Sequence, residues 1–212
     1  VYNTEKGLSI LRKYASMFGL DHDSGVEITE RDPQISDIDP ERSAMGQGTN
    51  SFTNVQLSRY VSALANRGTV FELSLLDKVT DSDGNMIKDF TPEISSQIEI
   101  QDSTWDAVAQ GMRGVIANGS AARIFRDLPI EIAGKTGTAQ ESTTRGNHAW
   151  FISYGPYTSP EIAVTVNIPY GYSSSNAATL AKHVYELYYG YTTLDEILDS
   201  GAIGASNVTI GD

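Results

Sequence analysis

The chain has 212 residues, 40% of them hydrophobic, 9% aromatic and 20% charged, an ordinary globular composition that can bury a sizeable core. Its formal net charge is −12 with no Lys/Arg-rich stripe, which excludes a nucleic-acid surface, since such surfaces need a basic footprint. There is no cysteine, hence no thiolate metal site, disulfide or Cys nucleophile, and no apolar run approaches the roughly 20 residues of a membrane span.

The first residue is Val1 rather than Met, so the chain reads as a processed or excised piece whose targeting or anchoring segment lies outside it. His22, His148 and His183 are too scattered to form a ligand set, and each is expected to be structural. No metal or cofactor is expected.

In chain order, Thr4 to Phe18 predicts a helix. Thr4 is the expected cap, Leu8, Leu11, Ala15 and Phe18 recur at helical spacing, and Gly19 supplies the stop. Residues 21–52 are rich in Asp, Ser, Gly, Pro and Asn and read as a long loop region. Thr53-Asn-Val-Gln56 has capping-box form, followed by an apolar face of Leu57, Tyr60, Val61, Leu64 and Ala65 that ends at Asn66-Arg67-Gly68. Residues 70–90 predict a hairpin turning at Asp83-Gly84.

A third helix is expected from about Ser103, with Trp105, Val108, Met112, Val115 and Ile116 on one face and Asn118-Gly119 as its end. Three strands follow, at 130–140, 149–154 and 161–168, the last alternating Ile162, Val164, Val166 and Ile168. A fourth helix capped by Ser175 presents Ala178, Ala181, Val184, Tyr185 and Tyr188. Residues 191–212 predict a loosely held polar tail with one helical patch, Leu-Asp-Glu-Ile-Leu. No internal repeat is visible. Helices, then strands joined by short turns, then a closing helix indicate an α+β fold, an antiparallel sheet with helices packed on its faces.

Chemistry concentrates in one strand, E-I-A-G-K-T-G-T-A-Q-E-S (131–142). A lysine on a strand is often only an edge charge that discourages aggregation. Here Gly134 and Gly137 clear both sides of Lys135, while Thr136 and Thr138 add hydroxyls. One cation, two hydroxyls and strand-edge N–H groups suit a carboxylate ligand and a developing oxyanion. Strict alternation puts Lys135 and Thr136 on opposite faces, so both serve one site only if that site lies at the strand edge.

This strand resembles the Lys-Thr-Gly motif of penicillin-binding proteins and serine β-lactamases. The surrounding segments A-M-G-Q-G-T-N-S-F-T-N-V-Q-L-S-R-Y-V-S-A-L-A-N-R-G (44–68), G-M-R-G-V-I-A-N-G-S-A-A-R-I-F (111–125) and H-A-W-F-I-S-Y-G-P (148–156) extend the likeness. Their order is that of the transpeptidase domain of class B, monofunctional penicillin-binding proteins, over about residues 4–190, leaving 191–212 as a C-terminal tail. The resemblance implies a peptidoglycan D,D-transpeptidase that acts on D-Ala-D-Ala stem peptides and is acylated by β-lactams at the outer face of the bacterial membrane. It implies that Lys135 orients substrate and sustains the proton network. Thr136, Gly137 and Thr138 would bind the substrate carboxylate, with the Thr138 backbone N–H as an oxyanion donor.

The chain departs from the family pattern in two respects, lacking Ser-x-x-Lys and a Ser-x-Asn ahead of the Lys-Thr-Gly strand. No Ser is followed three residues later by Lys; the nearest approach, Thr179-Leu-Ala-Lys182, falls after the Lys-Thr-Gly strand. Ser174-Ser175-Asn176 has Ser-x-Asn form in the wrong order and reads as a helix cap. The expectation is a domain incomplete on its N-terminal side and silent on its own, with an unpaired edge at 161–168 that strands from elsewhere cover or through which the chain self-associates. Gly46-Gln47-Gly48 lacks the third glycine and preceding strand of a dinucleotide loop and reads as a turn feeding Thr53, with Asn50 at most lining the site. The rival readings are a non-catalytic interaction module of the same fold and a β-lactam sensor or β-lactamase relative.

Overall fold

The computed structural model describes residues 3–141 and 143–199. The chain divides after Ala107 into two compact units, each with its own core.

In the first unit, α1 (Thr4–Met17) is capped by Asn3, whose side-chain oxygen accepts from the Lys6 N–H at 2.8 Å. The predicted cap, Thr4, is instead the first helical residue; Asn and Thr are both competent caps, and the extended backbone falls on Asn3. Gly19 takes the left-handed conformation (φ 72°) just past the helix. The loop region 21–52 contains α2 (Pro40–Ala44) and a bridge between Gln34 and Ser51. It is pinned by partly buried polar groups: Glu30 accepts from the Ser24 N–H and hydroxyl, both at 2.8 Å, and from the Thr53 hydroxyl.

The capping box at Thr53 forms as predicted and opens α3 (Asn54–Ala65). The Gln56 N–H donates to Thr53 Oγ1 at 3.2 Å, and the Thr53 N–H donates to Gln56 Oε1 at 2.9 Å. Arg59 on α3 is fully buried. Its guanidinium donates to the carbonyls of Gly19, Asp23 (2.7 Å) and His22 (2.9 Å) and lies 3.6 Å from Glu72.

The predicted hairpin over 70–90 is only partly right. Its centre, β2 (Lys78–Thr80) and β3 (Met86–Asp89), pairs around a turn in which Asp81 accepts from the Asp83 and Asn85 N–H groups. The first part, β1 (Thr69–Glu72), pairs antiparallel with β4 (Glu93–Gln97), a strand the sequence did not announce. Ala63, Val70, Ile98 and Trp105 form this unit's core, with Phe18 edge-on to both Tyr60 and Trp105.

The third helix, α4 (Asp102–Ala117), buries Trp105, Met112 and Ile116, whereas Val108 stays 40% exposed. In the second unit α5 (Ala122–Phe125) leads to an antiparallel sheet of order β5 (Ala133–Ala139), β6 (His148–Gly155), β7 (Ile162–Ile168). The helix α6 (Ser174–Tyr188) closes over one face. Ala177, Ala178, Ala181 and Tyr185 pack with Phe125, Ala149, Phe151, Val164 and Val166, while Val184 and Tyr188 remain exposed. Inside this core the Tyr185 hydroxyl donates to Ser153 Oγ at 3.0 Å. The helical patch of the tail is α7 (Leu194–Asp199), and the remainder of the tail lies outside the described residues.

Candidate active-site strand

Lys135, Thr136 and Thr138 all lie on β5, one of the two edge strands of the three-stranded sheet. No strand pairs with its outer edge among the described residues. The register places Lys135 opposite Ile152 and Gly137 opposite Trp150, with Thr136 opposite Phe151 and Thr138 opposite Ala149. Lys135 and the threonines therefore occupy opposite faces, as alternation requires, and the condition that joins them at one site, an open strand edge, is met.

Lys135 is exposed, and its Nζ donates to the Thr136 carbonyl at 2.6 Å. That contact turns the ammonium back along the strand and leaves further N–H donors for an anionic ligand. Thr136 is half-buried, and its hydroxyl lies 3.1 Å from the hydroxyl of Ser120, in the turn that ends α4. Ser120 fixes the Thr136 rotor and belongs to the site's immediate surroundings. Sequence reasoning missed it, because a serine after Asn118-Gly119 reads as helix-end chemistry.

The glycines also answer a packing constraint that the sequence does not display. A Cβ on Gly134 would lie 2.7 Å from Phe151 Cζ and 3.0 Å from the Ile152 carbonyl oxygen; one on Gly137 would lie 3.2 Å from Trp150 Cβ. Gly134 makes room for the Phe151 ring of the core, and Gly137 makes room for Trp150 on the neighbouring strand. The packing of β5 on β6 therefore favours both glycines independently of any ligand. A cavity of about 430 Å³ in the same unit, lined by Arg113, Ile116, Phe125, Arg126, Leu128 and Glu131, contains none of the β5 residues. The candidate site is an open edge.

The decoys resolve as structural groups. Ser173 rather than Ser175 caps α6, its hydroxyl accepting from the Ser175 N–H at 3.3 Å. Asn176 donates to the Gly171 carbonyl at 2.8 Å, Thr179 to the Ser175 carbonyl at 2.9 Å, and Lys182 lies 3.4 Å from Glu186. Asn50 accepts from the Ser36 N–H at 2.8 Å and donates to the carbonyls of Ser43 and Gln47, both at 3.1 Å, so its amide is spent on the loop. Each histidine pairs with a carboxylate: His22 with Asp21 (2.7 Å), His148 with Glu141 (2.9 Å) and His183 with Glu186 (3.0 Å). No cluster of metal-ligating residues occurs among the described residues, and no helix there is long and apolar enough to cross a membrane.

Residues 3–186 match the family described as the penicillin binding protein transpeptidase domain. The chain belongs to this family. Among curated relatives it is 31% identical over 166 residues to the peptidoglycan D,D-transpeptidase MrdA of Haemophilus influenzae, covering 68% of this chain and 25% of that protein. It is 28% identical over 184 residues to penicillin-binding protein 2A of Bacillus subtilis, covering 78% of this chain and 26% of that protein. These relatives are of the class B type, and the chain spans about a quarter of their length. The fold is shared with solved penicillin-binding proteins. Penicillin-binding protein 2B of Streptococcus pneumoniae superposes with a TM-score of 0.75 at 23% identity, covering 88% of this chain and 33% of that one. Pseudomonas aeruginosa PBP2, solved with WCK 5153, gives 0.71 at 28% identity, covering 85% of this chain and 44% of that one. Penicillin-binding protein A of Mycobacterium tuberculosis, solved as an imipenem acyl-enzyme, gives 0.74 at 22% identity, covering 85% of this chain and 42% of that one.

Proposed function

We propose that this chain is the C-terminal portion of a peptidoglycan D,D-transpeptidase and supplies the carboxylate-binding wall of its acyl-transfer site. The observation that carries the reading is the edge strand β5, where the Lys135 ammonium, the Thr136 hydroxyl braced by Ser120, and Thr138 share one open border. Residues 1–190 constitute the transpeptidase portion and 191–212 a tail, which agrees with a family match ending at residue 186.

In this reading a serine from elsewhere in the protein attacks the penultimate D-Ala carbonyl of a stem peptide. Its proton passes through a lysine network to the departing D-Ala amine, and an ester to the serine forms as the peptide bond breaks. Lys135 holds the proton network and the substrate in place. Thr136 and Thr138 grip the terminal carboxylate, Gly137 lets the strand approach it, and the Thr138 N–H stabilises the oxyanion. β-Lactams enter as acylating substrates, and the reaction takes place outside the cytoplasmic membrane. Lacking Ser-x-x-Lys, the 212-residue chain alone is silent.

The remainder of the protein also completes the sheet. The outer edge of β7 pairs with no strand among the described residues, and on the sheet face opposite the α6 core Thr165 Oγ1 and Asn167 Oδ1 are buried without a partner. An unpaired edge presents backbone N–H and C=O groups that a further strand satisfies.

The test is labelling of the full-length protein with fluorescent benzylpenicillin, together with Lys135→Ala. The expected result is a covalent adduct, competed by unlabelled drug, formed about two to three orders of magnitude more slowly in the variant. A wild-type protein that never acylates overturns the enzyme reading in favour of a non-catalytic interaction module. Rapid deacylation would identify a β-lactamase instead.

A further inference from the structure

Four side chains outside the Lys-Thr-Gly strand tie together the ends of all three strands of the second unit. Glu141 lies just past the end of β5, Arg145 in the connection to β6, His148 at the first position of β6, and Tyr170 just past β7. His148 Nε2 lies 2.9 Å from Glu141 Oε2, and the Tyr170 hydroxyl donates to the same carboxylate oxygen at 3.4 Å. Arg145 donates to the Tyr170 hydroxyl at 2.9 Å, with its guanidinium carbon 5.4 Å from the centre of the Tyr170 ring. The His148 and Tyr170 rings lie 4.9 Å apart.

The tautomer follows from the bonds. The Tyr170 backbone N–H points at His148 Nδ1 at 3.4 Å, so Nδ1 accepts and the proton sits on Nε2, which donates to Glu141. The Glu141 carboxyl is held below its ordinary value of 4.5, first by the His148 hydrogen bond and further by Tyr170 and Arg145. A second thread runs beside the first: the Tyr172 N–H donates to the Asn147 carbonyl at 3.0 Å, and Gly146 lies against the Tyr172 ring.

The turn that delivers Tyr170 is strained. Tyr170 (φ 55°) and Tyr172 (φ 63°) both adopt the left-handed conformation that L-residues with a side chain rarely occupy. Such outliers persist where the surroundings over-determine them, and they concentrate near functional sites. The clasp lies at the end of β5 where Thr138 sits, with Ala139 and Gln140 between Thr138 and Glu141.

We propose that Glu141, Arg145, His148 and Tyr170 are positioning residues that lock the exit of β5 to β6 and β7, and thereby hold Thr138 in register for the substrate carboxylate. The proposal rests on the transpeptidase reading of β5. It assigns these residues no contact with substrate; they act through the strand end they anchor. Small displacements of a positioning strand cost rate far out of proportion to their size.

The experiment measures acylation of the full-length protein by benzylpenicillin and by its methyl ester, which lacks the free carboxylate. Glu141→Ala is expected to slow acylation by benzylpenicillin roughly ten- to hundredfold and that by the ester by a clearly smaller factor, because the ester uses the Thr138 oxyanion N–H but not the carboxylate grip. Glu141→Gln, whose amide oxygen still accepts from His148 and Tyr170, is expected to restore the acid rate to within about threefold. Tyr170→Phe should fall between them, because it keeps the ring and loses the hydroxyl. Equal losses on acid and ester in Glu141→Ala would mean general damage to the site and overturn the proposal, as would an unchanged acid rate. Should the wild-type protein fail to acylate at all, the transpeptidase reading itself falls.

Discussion

Replacing Arg59 with Met gives the sharpest test of how the first unit is held together. Met matches much of the volume of the arginine stem and introduces no new charge, so the substitution removes hydrogen bonds more than packing. The structure sets the magnitude. The Gly19 carbonyl bonds to Arg59 in a fully buried setting, and leaving it without a donor costs about 1–3 kcal/mol. The carbonyls of His22 and Asp23 sit in partly exposed settings where water replaces the lost donor, so each adds roughly 0.5–1 kcal/mol. Glu72, 3.6 Å away and partly exposed, rehydrates at small cost. Against these losses stands relief of guanidinium burial, the first cause of the lowered Arg59 pKa, and of its unpartnered Nε. The net expectation is about 2–4 kcal/mol of destabilisation by urea unfolding, with m unchanged. Amides of 19–25 should lose exchange protection first, because Arg59 anchors that segment. Destabilisation below about 0.5 kcal/mol, or loss of protection spread evenly over the unit, would refute the reasoning.

Thr53→Ala should cost about 1–2 kcal/mol by chemical denaturation, at the upper end for a cap because the hydroxyl also donates to Glu30. Burial opposes the Glu30 charge, yet bonds from Thr53 and Ser24 hold its carboxyl below 4.5, so the stability it lends is present at neutral pH and lost as pH falls below that value; Thr53→Ala should make the acid limb shallower. Burial and the Glu161 contact push the Tyr189 phenol up to about 12, and burial also raises Tyr185. Both are neutral in the fold and ionise near 10 when unfolded, so stability should hold below about pH 10 and decline above it, with these two and Tyr60, whose phenol burial also raises, lagging in a spectrophotometric titration. Gly134→Ala should destabilise by about 1–3 kcal/mol in thermal unfolding, because the new methyl meets the Phe151 ring and the Ile152 carbonyl; an unchanged melting temperature would contradict the packing account of that glycine.

Much of this architecture was legible where one local signal was strong. The capping box at Thr53 names both partners of its bonds, and the apolar run of β6 and the alternation of β7 place those strands within a residue or two. The cap positions of α1 and α6 were off by one and two residues because Asn3-Thr4 and Ser173-Ser174-Ser175 offer several competent caps in a row, and tertiary packing chooses among them. Strand β4 was invisible for another reason. All five residues of Glu93–Gln97 are exposed, so no buried face imprinted an alternation, and the strand exists because β1 offers it an edge.

The candidate site shows the same division at finer scale. Lys135, Thr136 and Thr138 announce themselves by residue type, because a cation and hydroxyls between glycines are poor packing choices. Their supports do not. Ser120 reaches Thr136 across 16 residues, and Tyr170 reaches Glu141 across 29, so nothing local records either contact. The β7–α6 turn makes the point most clearly. In Tyr170-Gly171-Tyr172 the expected left-handed residue is the glycine, yet the two tyrosines take the positive φ angles. Gly171 is required for clearance instead: a Cβ there would lie 2.8 Å from that of Ile168 and 2.9 Å from that of Ala149. With the glycine committed to close approach, the left-handed positions fall on its neighbours, at a cost of about 1–2 kcal/mol each. That strain is offset locally by the Tyr170 bonds to Arg145, His148 and Glu141 and by the Tyr172 bond to Asn147. The strained turn and the clasp therefore depend on each other, and a substitution that loosens one should relax the other.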